Sequence, residues 1–460
     1  MEKTVAFCTL GCKVNQYETN AMIDQFINKG YTIKEFNEKA DIYIINTCTV
    51  TNMADRKSRQ MLRRVKEINK NALVVACGCY AQVAKEELEK IPEIDLIYGT
   101  NEKNKIAEYI EEYQKTYQKG TEVSKGNVPN GKVTDVMYQK EFLDFGTTDY
   151  TEKTRAVIKV QDGCDRFCSY CIIPYARGHV RSRKIESVVE EITKIAQKGI
   201  KEVVITGIHV ASYGKDFKEK KELIDLLEEI NKIDGIERIR LGSLEPTLIN
   251  EDFLERLTKL EKICDHFHLS LQSGCDETLK RMNRRYTTEE FKNTAELLRK
   301  AYPNVSLTTD IIVGFPGETE EEFNKTYEFL KDINFYQMHV FKYSPRKGTK
   351  AAVMANQIDG KLKEERSNKL IELSHQNEIE HNKKEIGKEL EVLWEEQDGE
   401  YIKGHTTNYK VVKIPYKPIE NTITKVKIER LENLELIGKW EFNTIYYFLI
   451  PCVSQPTNLK

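Results

Sequence analysis

Eight consecutive residues, Cys164-Asp165-Arg166-Phe167-Cys168-Ser169-Tyr170-Cys171, constrain this chain more than any other stretch. They set three thiols at Cys-x3-Cys-x2-Cys spacing directly after a strand-like run. With eleven cysteines in 460 residues, chance yields such a triplet somewhere in the chain with a probability of order ~1 per cent. Three thiolates on one loop suit an iron-sulfur cluster with one iron left open, whereas a closed structural zinc site needs four protein ligands. A zinc knuckle or unligated thiols is the alternative, and it lacks the paired Cys-x2-Cys spacing of such knuckles. An odd, clustered set of cysteines in a reducing compartment points to metal or catalysis rather than to disulfides.

At roughly 150 residues per domain the chain accommodates about three domains. Apolar, β-branched runs at 4–9, 41–46, 72–77 and 94–98 alternate with amphipathic stretches at Gln16–Gly30 and Met53–Asn69. This alternation predicts an α/β domain over 1–113 with a doubly wound parallel sheet. Ligands bind such sheets where loops leave the carboxyl ends of the strands. Three cysteines fall there: Cys12 in Thr9-Leu10-Gly11-Cys12, Cys48 in Asn46-Thr47-Cys48 and Cys79 in Gly78-Cys79-Tyr80-Ala81-Gln82. They are expected to converge.

Residues 114–150 turn polar, and Gly120, Gly126, Pro129 and Gly131 mark them as a linker. Over 151–380, strand-like segments at 155–161, 201–207, 237–243, 266–272, 306–313 and 336–343 alternate with helical ones. Six β/α units are too few for an eight-stranded barrel, so an open, partial (β/α)6 barrel is expected. A helical stretch, Lys361–Lys388, leads into β-rich sequence that reads as a small barrel over 381–445, followed by an irregular tail at 446–460. The aromatic run Trp440–Ile450 is too short to cross a bilayer.

Acidic residues number 73 and basic ones 71, which excludes a global polycation and makes any nucleic-acid footprint local. No stretch approaches the ~20 apolar residues of a membrane span. The start, Met1-Glu2-Lys3, lacks an apolar segment followed by a cleavage site, so the chain is expected to be cytoplasmic. Between Arg56 and Lys70, seven bases face one acid, and Arg56, Arg59, Arg63, Lys66 and Lys70 line one helix face. Arg177, Arg181, Arg183 and Lys184, together with Lys280, Arg281, Arg284 and Arg285, are further candidates for gripping phosphate. From Tyr401 to Arg430 seven bases face two acids. There Lys403 and Lys410 are candidates for phosphate, and Tyr401 or Tyr409 for stacking on bases. A solvated charged face is the plain alternative throughout.

At its triplet the sequence resembles the radical S-adenosylmethionine (SAM) superfamily. The resemblance implies that Cys164, Cys168 and Cys171 hold a 4Fe-4S cluster. Its open iron chelates the amino and carboxylate groups of SAM, and one electron then releases a 5′-deoxyadenosyl radical. Val204-Ile205-Thr206-Gly207-Ile208, Leu241-Gly242-Ser243-Leu244-Glu245-Pro246, Leu269-Ser270-Leu271-Gln272-Ser273-Gly274 and Asp310-Ile311-Ile312-Val313-Gly314-Phe315-Pro316-Gly317-Glu318 end successive strands. The resemblance makes Thr206, Gly207, Glu245, Ser270, Gln272 and Val313 the SAM contacts.

Preceding that triplet, Thr9-Leu10-Gly11-Cys12-Lys13-Val14-Asn15, Asn46-Thr47-Cys48 and Gly78-Cys79-Tyr80-Ala81-Gln82 look like the methylthiotransferase family. This implies a second 4Fe-4S cluster on Cys12, Cys48 and Cys79, whose open iron carries the sulfur to be transferred. Cys8 and Cys77 lie within strands and read as buried small hydrophobes. Cys264, Cys275 and Cys452 read as structural, and His209, His266, His268 and His339 receive no catalytic role. Gly404-His405-Thr406-Thr407-Asn408-Tyr409-Lys410-Val411-Val412 and Leu436-Ile437-Gly438 resemble the TRAM domain, a small RNA-binding barrel, here a short one.

Within the family, the Lys13-Val14-Asn15 and Cys48-Thr49-Val50-Thr51-Asn52 segments look like the subgroup acting on N6-threonylcarbamoyladenosine next to the anticodon of tRNA. The isopentenyladenosine subgroup typically has Gln-Met-Asn in place of Lys13-Val14-Asn15, and a third subgroup modifies an aspartate of a small-subunit ribosomal protein. An aromatic purine C–H is neither acidic nor electrophilic enough for ordinary catalysis, so a radical is needed. The resemblance implies such a tRNA, an electron donor such as flavodoxin or ferredoxin, and a sulfur donor as partners. A noncatalytic iron-sulfur RNA-binding sensor is the alternative from another class.

Overall fold

The structure, a computed structural model, describes residues 3–117, 131–146 and 154–440. It divides into two units, one running to Glu380 and including Thr407–Tyr409, the other comprising His381–Thr406 and the chain from Lys410 onward.

The first sheet of the first unit contains β1 (Thr4–Thr9), β2 (Thr32–Lys34), β3 (Ile42–Thr47), β4 (Leu73–Gly78) and β5 (Leu96–Ile97), in the order β2-β1-β3-β4-β5. Every pair is parallel. Strands buried on both faces read as continuous apolar runs, and all six residues of β3 are buried. Alternate side chains supply two cores: Tyr43, Ile45, Val74 and Ala76 pack on one face, and Ile42, Ile44, Val75 and Cys77 on the other. Helices α1 (Lys13–Ile27), α2 (Asn52–Ile68) and α3 (Cys79–Val83) follow β1, β3 and β4. The strand order reverses between β1 and β3, which is where such sheets open a binding crevice. β2 was absent from the expectation, because three half-buried edge residues carry no readable alternation.

The remainder of this unit is the expected six-unit partial barrel. β6 (Arg155–Asp162), β7 (Arg181–Ser182), β8 (Glu202–Gly207) and β9 (Arg238–Leu241) form one sheet, and β10 (His266–His268), β11 (Ser306–Val313) and β12 (Gln337–Lys342) another. Parallel bridges Ile239 to Ile263, Leu244 to Leu269 and Gln272 to Ile311 carry the curl from β9 to β11. β7 is a two-residue antiparallel flap on β6. A single large core fills the barrel, built from Ile158, Ile205, Leu241, Phe267, Ile311 and Met338 among others.

Part of the expected linker is held in place. A helix, Ile106–Tyr117, runs into it. Beyond the undescribed residues, Gly99 N donates to Lys132 O at 2.9 Å, Gln82 Nε2 donates to Thr134 O at 2.8 Å, and Val136 is buried.

In the second unit β13 (Glu389–Asp398), β14 (Tyr401–Thr406), β15 (Val411–Pro415), β16 (Ile423–Glu432) and β17 (Glu435–Lys439) close a barrel in the order β13-β14-β15-β17-β16. The barrel is therefore complete: β17 is the strand that made it look short, and it joins β15 in parallel and β16 antiparallel. Trp394 fills the centre, and its indole N–H, which burial obliges to find a partner, donates to Thr424 Oγ1 at 2.7 Å. Nearly all of the aromatic run and the tail beyond it, from 441, lie outside the described residues.

Candidate active site

The triplet loop leaves the carboxyl end of β6 and is pinned by backbone contacts rather than by regular structure. Cys164 N donates to Gly178 O at 3.0 Å and Ser169 N to Met282 O at 3.0 Å. Phe167 takes a left-handed conformation (φ 47°), and Asn283 Nδ2 donates to its carbonyl at 3.0 Å. Cys168 lies close enough to Cys164 and Cys171 to oppose their ionisation. Burial, and then the Cys168 neighbour, pushes Cys171 up to about 12. Burial likewise raises Cys164 to about 11. Such thiols ionise when a metal takes the sulfur, so loading releases protons. Arg284 Nη1 sits 3.4 Å from Cys168 Sγ, placing a cation beside the triplet.

The other three cysteines converge as expected, although each comes from a separate loop. Asn15 Nδ2 donates to Leu10 O at 2.7 Å and to Thr47 O at 3.1 Å, tying the Cys12 loop to the Cys48 loop. Thr47 Oγ1 donates to Cys77 O at 2.6 Å and accepts from Ala81 N at 3.2 Å, tying the Cys48 loop to the Cys79 helix. Gly11 (φ +98°) allows the closest approach: a Cβ there would lie 2.6 Å from Cys48 Sγ. Burial raises Cys48 to about 11, and Cys79 and Cys12 add to it. Arg346, from the segment after β12, donates to Thr49 and to Asn52 Oδ1 (2.6 Å) and pairs with Asp55 at 2.6 Å, fastening the Cys48 loop to the barrel.

Beneath the triad lies a buried ionic network. Arg177 Nε donates to Cys79 Sγ at 3.2 Å and its Nη2 to Asn15 Oδ1 at 2.8 Å. The same guanidinium pairs with Glu18, which also holds Lys103 (2.5 Å) and Lys159 (2.7 Å). Asp162 joins through Lys159 (2.5 Å), Arg177 (3.4 Å) and Arg181 (3.6 Å). Burial would raise both carboxyls, but the cations overcome it, holding Glu18 well below the usual range and Asp162 at about 2. Four cations against two carboxylates leave positive charge next to the thiols, which suits a ligand set that is anionic when ionised.

One cavity of about 690 Å³ is lined by Cys12 of the triad and by all three cysteines of the triplet, Cys164, Cys168 and Cys171. Cys48 and Cys79 are buried. Of the expected SAM contacts, Thr206, Gly207, Glu245, Ser270 and Gln272 line this cavity. Val313 does not: it is 1 % exposed and packed in the barrel core. Burial would raise Glu245, but His209, with its Nε2 3.3 Å away, and Arg284 and Arg166 nearby hold it at about 2. A second cavity of about 700 Å³, bordered by Tyr213, Phe217 and Arg256, contains no thiol. Cys8 and Cys77 stay outside both sets, and burial pushes their thiols to about 11 and about 12.

Sequence reasoning missed Lys13, Arg166, His209 and His339 on the cavity wall. Lys13 adjoins Cys12 and Arg166 lies within the triplet, a signal that was available. The Arg177 contact to Cys79 spans 98 residues and leaves no local trace.

The expected RNA contacts divide. Arg56 and Arg63 are exposed on α2, as are Lys57, Arg64 and Lys70 nearby. Arg59 and Lys66 are instead tied into the fold, Arg59 to Tyr80 Oη at 2.6 Å and Lys66 to Ala72 O at 2.7 Å and Asp95 at 3.1 Å. Arg177 and Arg181 are 0 % and 1 % exposed, so the polyanion role given to them is corrected: their partners are Glu18 and Asp162. Arg183 likewise pairs with Glu191 inside. Lys410 is buried against Glu385 at 2.5 Å. Tyr409 is not open to a base: its ring stacks on His266 at 4.8 Å with the Arg240 guanidinium 4.8 Å from its centroid. Lys403 remains at the surface beside Glu396 (3.5 Å).

Comparison with known proteins bears on this arrangement. Residues 158–330 match the Radical SAM superfamily, and residues 4–99 match Uncharacterized protein family UPF0004. The threonylcarbamoyladenosine tRNA methylthiotransferase MtaB of Bacillus subtilis (strain 168) is 41% identical over 429 residues, 92% of each chain. The tRNA-2-methylthio-N(6)-dimethylallyladenosine synthase of Clostridium tetani is 35% identical over 441 residues, 94% of this chain and 95% of the other. Among solved structures, the radical S-adenosylmethionine methyltransferase TsrM of Kitasatospora setae, with cobalamin and a [4Fe-4S] cluster bound, shares the fold at a TM-score of 0.56 and 16% identity, covering 77% of each chain. With Cys12 and the cysteine triplet facing one cavity, on a chain alike to such relatives over more than nine-tenths of its length, the family follows: it belongs to the tRNA methylthiotransferases of the radical SAM superfamily.

Proposed function

We propose that this chain exchanges the C2 hydrogen of N6-threonylcarbamoyladenosine, next to the anticodon of tRNA, for a methylthio group. The observation that carries this reading is the common cavity, where Cys12 of one set faces the same space as Cys164, Cys168 and Cys171 of the other. The relative named for that base is more similar, at 41%, than the one named for the dimethylallyl base, at 35%. When bound, the two 4Fe-4S clusters and SAM supply the radical that removes the hydrogen and the sulfur and methyl that replace it.

The chain's own residues hold and orient. Cys164, Cys168 and Cys171 ligate one cluster, and Cys12, Cys48 and Cys79 the other. Thr206, Gly207, Ser270 and Gln272 present polar groups to SAM, and Glu245, kept ionised, offers a carboxylate to its amine. Exposed Arg56 and Arg63 of α2, with Lys403 of the small barrel, are the phosphate contacts we assign to tRNA. A low-potential donor such as flavodoxin or ferredoxin supplies electrons, and a separate donor supplies sulfur. A reducing cytoplasm is the compartment that fits both tRNA and thiol-ligated clusters.

The test is nucleoside mass spectrometry after anaerobic turnover of the reconstituted enzyme with SAM, reductant, sulfide and tRNA. Methylthio product is expected on tRNA bearing the threonylcarbamoyl base. Product only on tRNA bearing the isopentenyl base refutes the base assignment.

A further inference from the structure

Lys13 is the first residue of α1 and follows the ligand Cys12. It lines the shared cavity, as does His339 of β12, and the two sense one another electrostatically. Among the described residues, its ammonium has no hydrogen bond and no ion pair within 4.0 Å. Among the described residues, the other Lys and Arg side chains lining the cavity, Arg166 and Arg284, are engaged. Arg166 pairs with Glu245, and Arg284 lies 3.7 Å from Glu245 and 3.4 Å from Cys168 Sγ. Arg240 holds Glu202 at 2.7 and 3.2 Å. On the His339 side, Asp310 lies 3.3 Å from His268. Lys13 is exposed to the cavity, with the Tyr409 hydroxyl and the Glu202 carboxylate as its longer-range attractive neighbours, and an ammonium that faces a cavity without an ion pair of its own is a ready partner for an anionic ligand.

We propose that Lys13 anchors a carboxylate-binding subsite, which holds the free carboxylate of the threonyl group on the substrate base while His339 forms the facing wall. The proposal rests on the base assignment above and deepens it. Adenosine is uncharged at its base edge, so the threonyl carboxylate is the feature that sets this base apart from one carrying a hydrocarbon chain. A site built around that charge rejects a substrate without it, because the ammonium is then left unpaired. SAM also carries a carboxylate, but its cluster lies on the triplet loop, where Arg166 and Arg284 are the adjacent cations.

The experiment measures binding of the cluster-loaded holoenzyme to two anticodon stem-loops, one with the threonylcarbamoyl base and one with its carboxylate converted to the methylamide. The wild-type chain should bind the carboxylate form about 10-fold more tightly, the effect of one charge-assisted hydrogen bond. Lys13→Met should reduce this preference to about threefold or less, and Lys13→Arg should keep most of it. Iron content and SAM affinity should stay at wild-type levels in both variants. An undiminished preference in Lys13→Met overturns the proposal. So does a loss of SAM affinity that is equal with either stem-loop, which would assign the ammonium to the SAM carboxylate. If the wild-type chain shows no preference yet methylthiolates the threonylcarbamoyl base, the subsite fails and the base assignment stands. Product on the isopentenyl base alone sinks both.

Discussion

The two cysteine sets are assembled by opposite routes around one cavity, which the triplet lines in full and the triad through Cys12. Cys164, Cys168 and Cys171 lie within eight residues of one loop, so their spacing is fixed by local backbone. Cys12, Cys48 and Cys79 come from three loops of a parallel sheet and meet only because the strands align in register, Asn46 beside Thr9 and beside Cys77. The first set is a property of a segment, the second a property of a fold. The triad is therefore the one that needs Asn15, Thr47, Arg177 and Arg346 as fasteners, and the one that packing mutations should damage selectively.

The sharpest break in the comparison is removal of a ligand on each side. Cys168→Ala should reduce SAM cleavage to background, and continued formation of 5′-deoxyadenosine in that variant would remove the triplet from the site. Cys79→Ala should still cleave SAM while forming no methylthio nucleoside. Surviving product there would show that the triad does not carry the sulfur.

Fold-borne fasteners come next. Arg177→Met leaves Glu18 and Asp162 short of a cation and Cys79 without its donor, and breaking such a buried pair costs about 3–5 kcal/mol. Chemical denaturation should show that loss, and iron should fall in the triad cluster while SAM cleavage persists; equal damage to both clusters contradicts the distinction drawn here. Gly11→Ala forces a side chain to φ +98° with its Cβ 2.6 Å from Cys48 Sγ, a strain of about 1–3 kcal/mol. Triad iron alone should drop, and a full iron complement would show that the loop relaxes.

The smallest effect concerns pH. Asp162 is held at about 2 against an ordinary 3.8. Its folded-state value is depressed, so the stability it adds is complete above the ordinary aspartate range and disappears as the pH falls through about 2. The stability gap between wild type and Asp162→Asn should narrow over that acid window. A gap that widens on acidification contradicts the pairing.

Much of this architecture is legible in the sequence where the signal is local. The β-branched runs mark β1, β3 and β4, the six barrel units follow their strand periodicity, and the triplet declares itself by spacing. What stays hidden depends on distant partners. Arg177 and Arg181 read as phosphate grips because they are basic and adjacent to the triplet, yet the carboxylate that buries Arg177 lies 159 residues away in Glu18. Lys410 sits in a basic stretch, but Glu385 claims it 25 residues earlier in the chain. Tyr409 has the look of a base-stacking aromatic, and only the folded chain shows His266 already on its face. Charge and aromaticity announce an interaction; they do not announce its partner. Lys13 is the converse case, a plain lysine in sequence whose lack of a partner emerges only from the cavity around it.

The most direct test of the account is iron and sulfide counting, with Mössbauer spectra, on the chain reconstituted without oxygen. Two thiol triads of the kind described predict about eight irons per chain in two 4Fe-4S clusters. About four irons would leave the triplet cluster alone and contradict the convergence of Cys12, Cys48 and Cys79 into a second site.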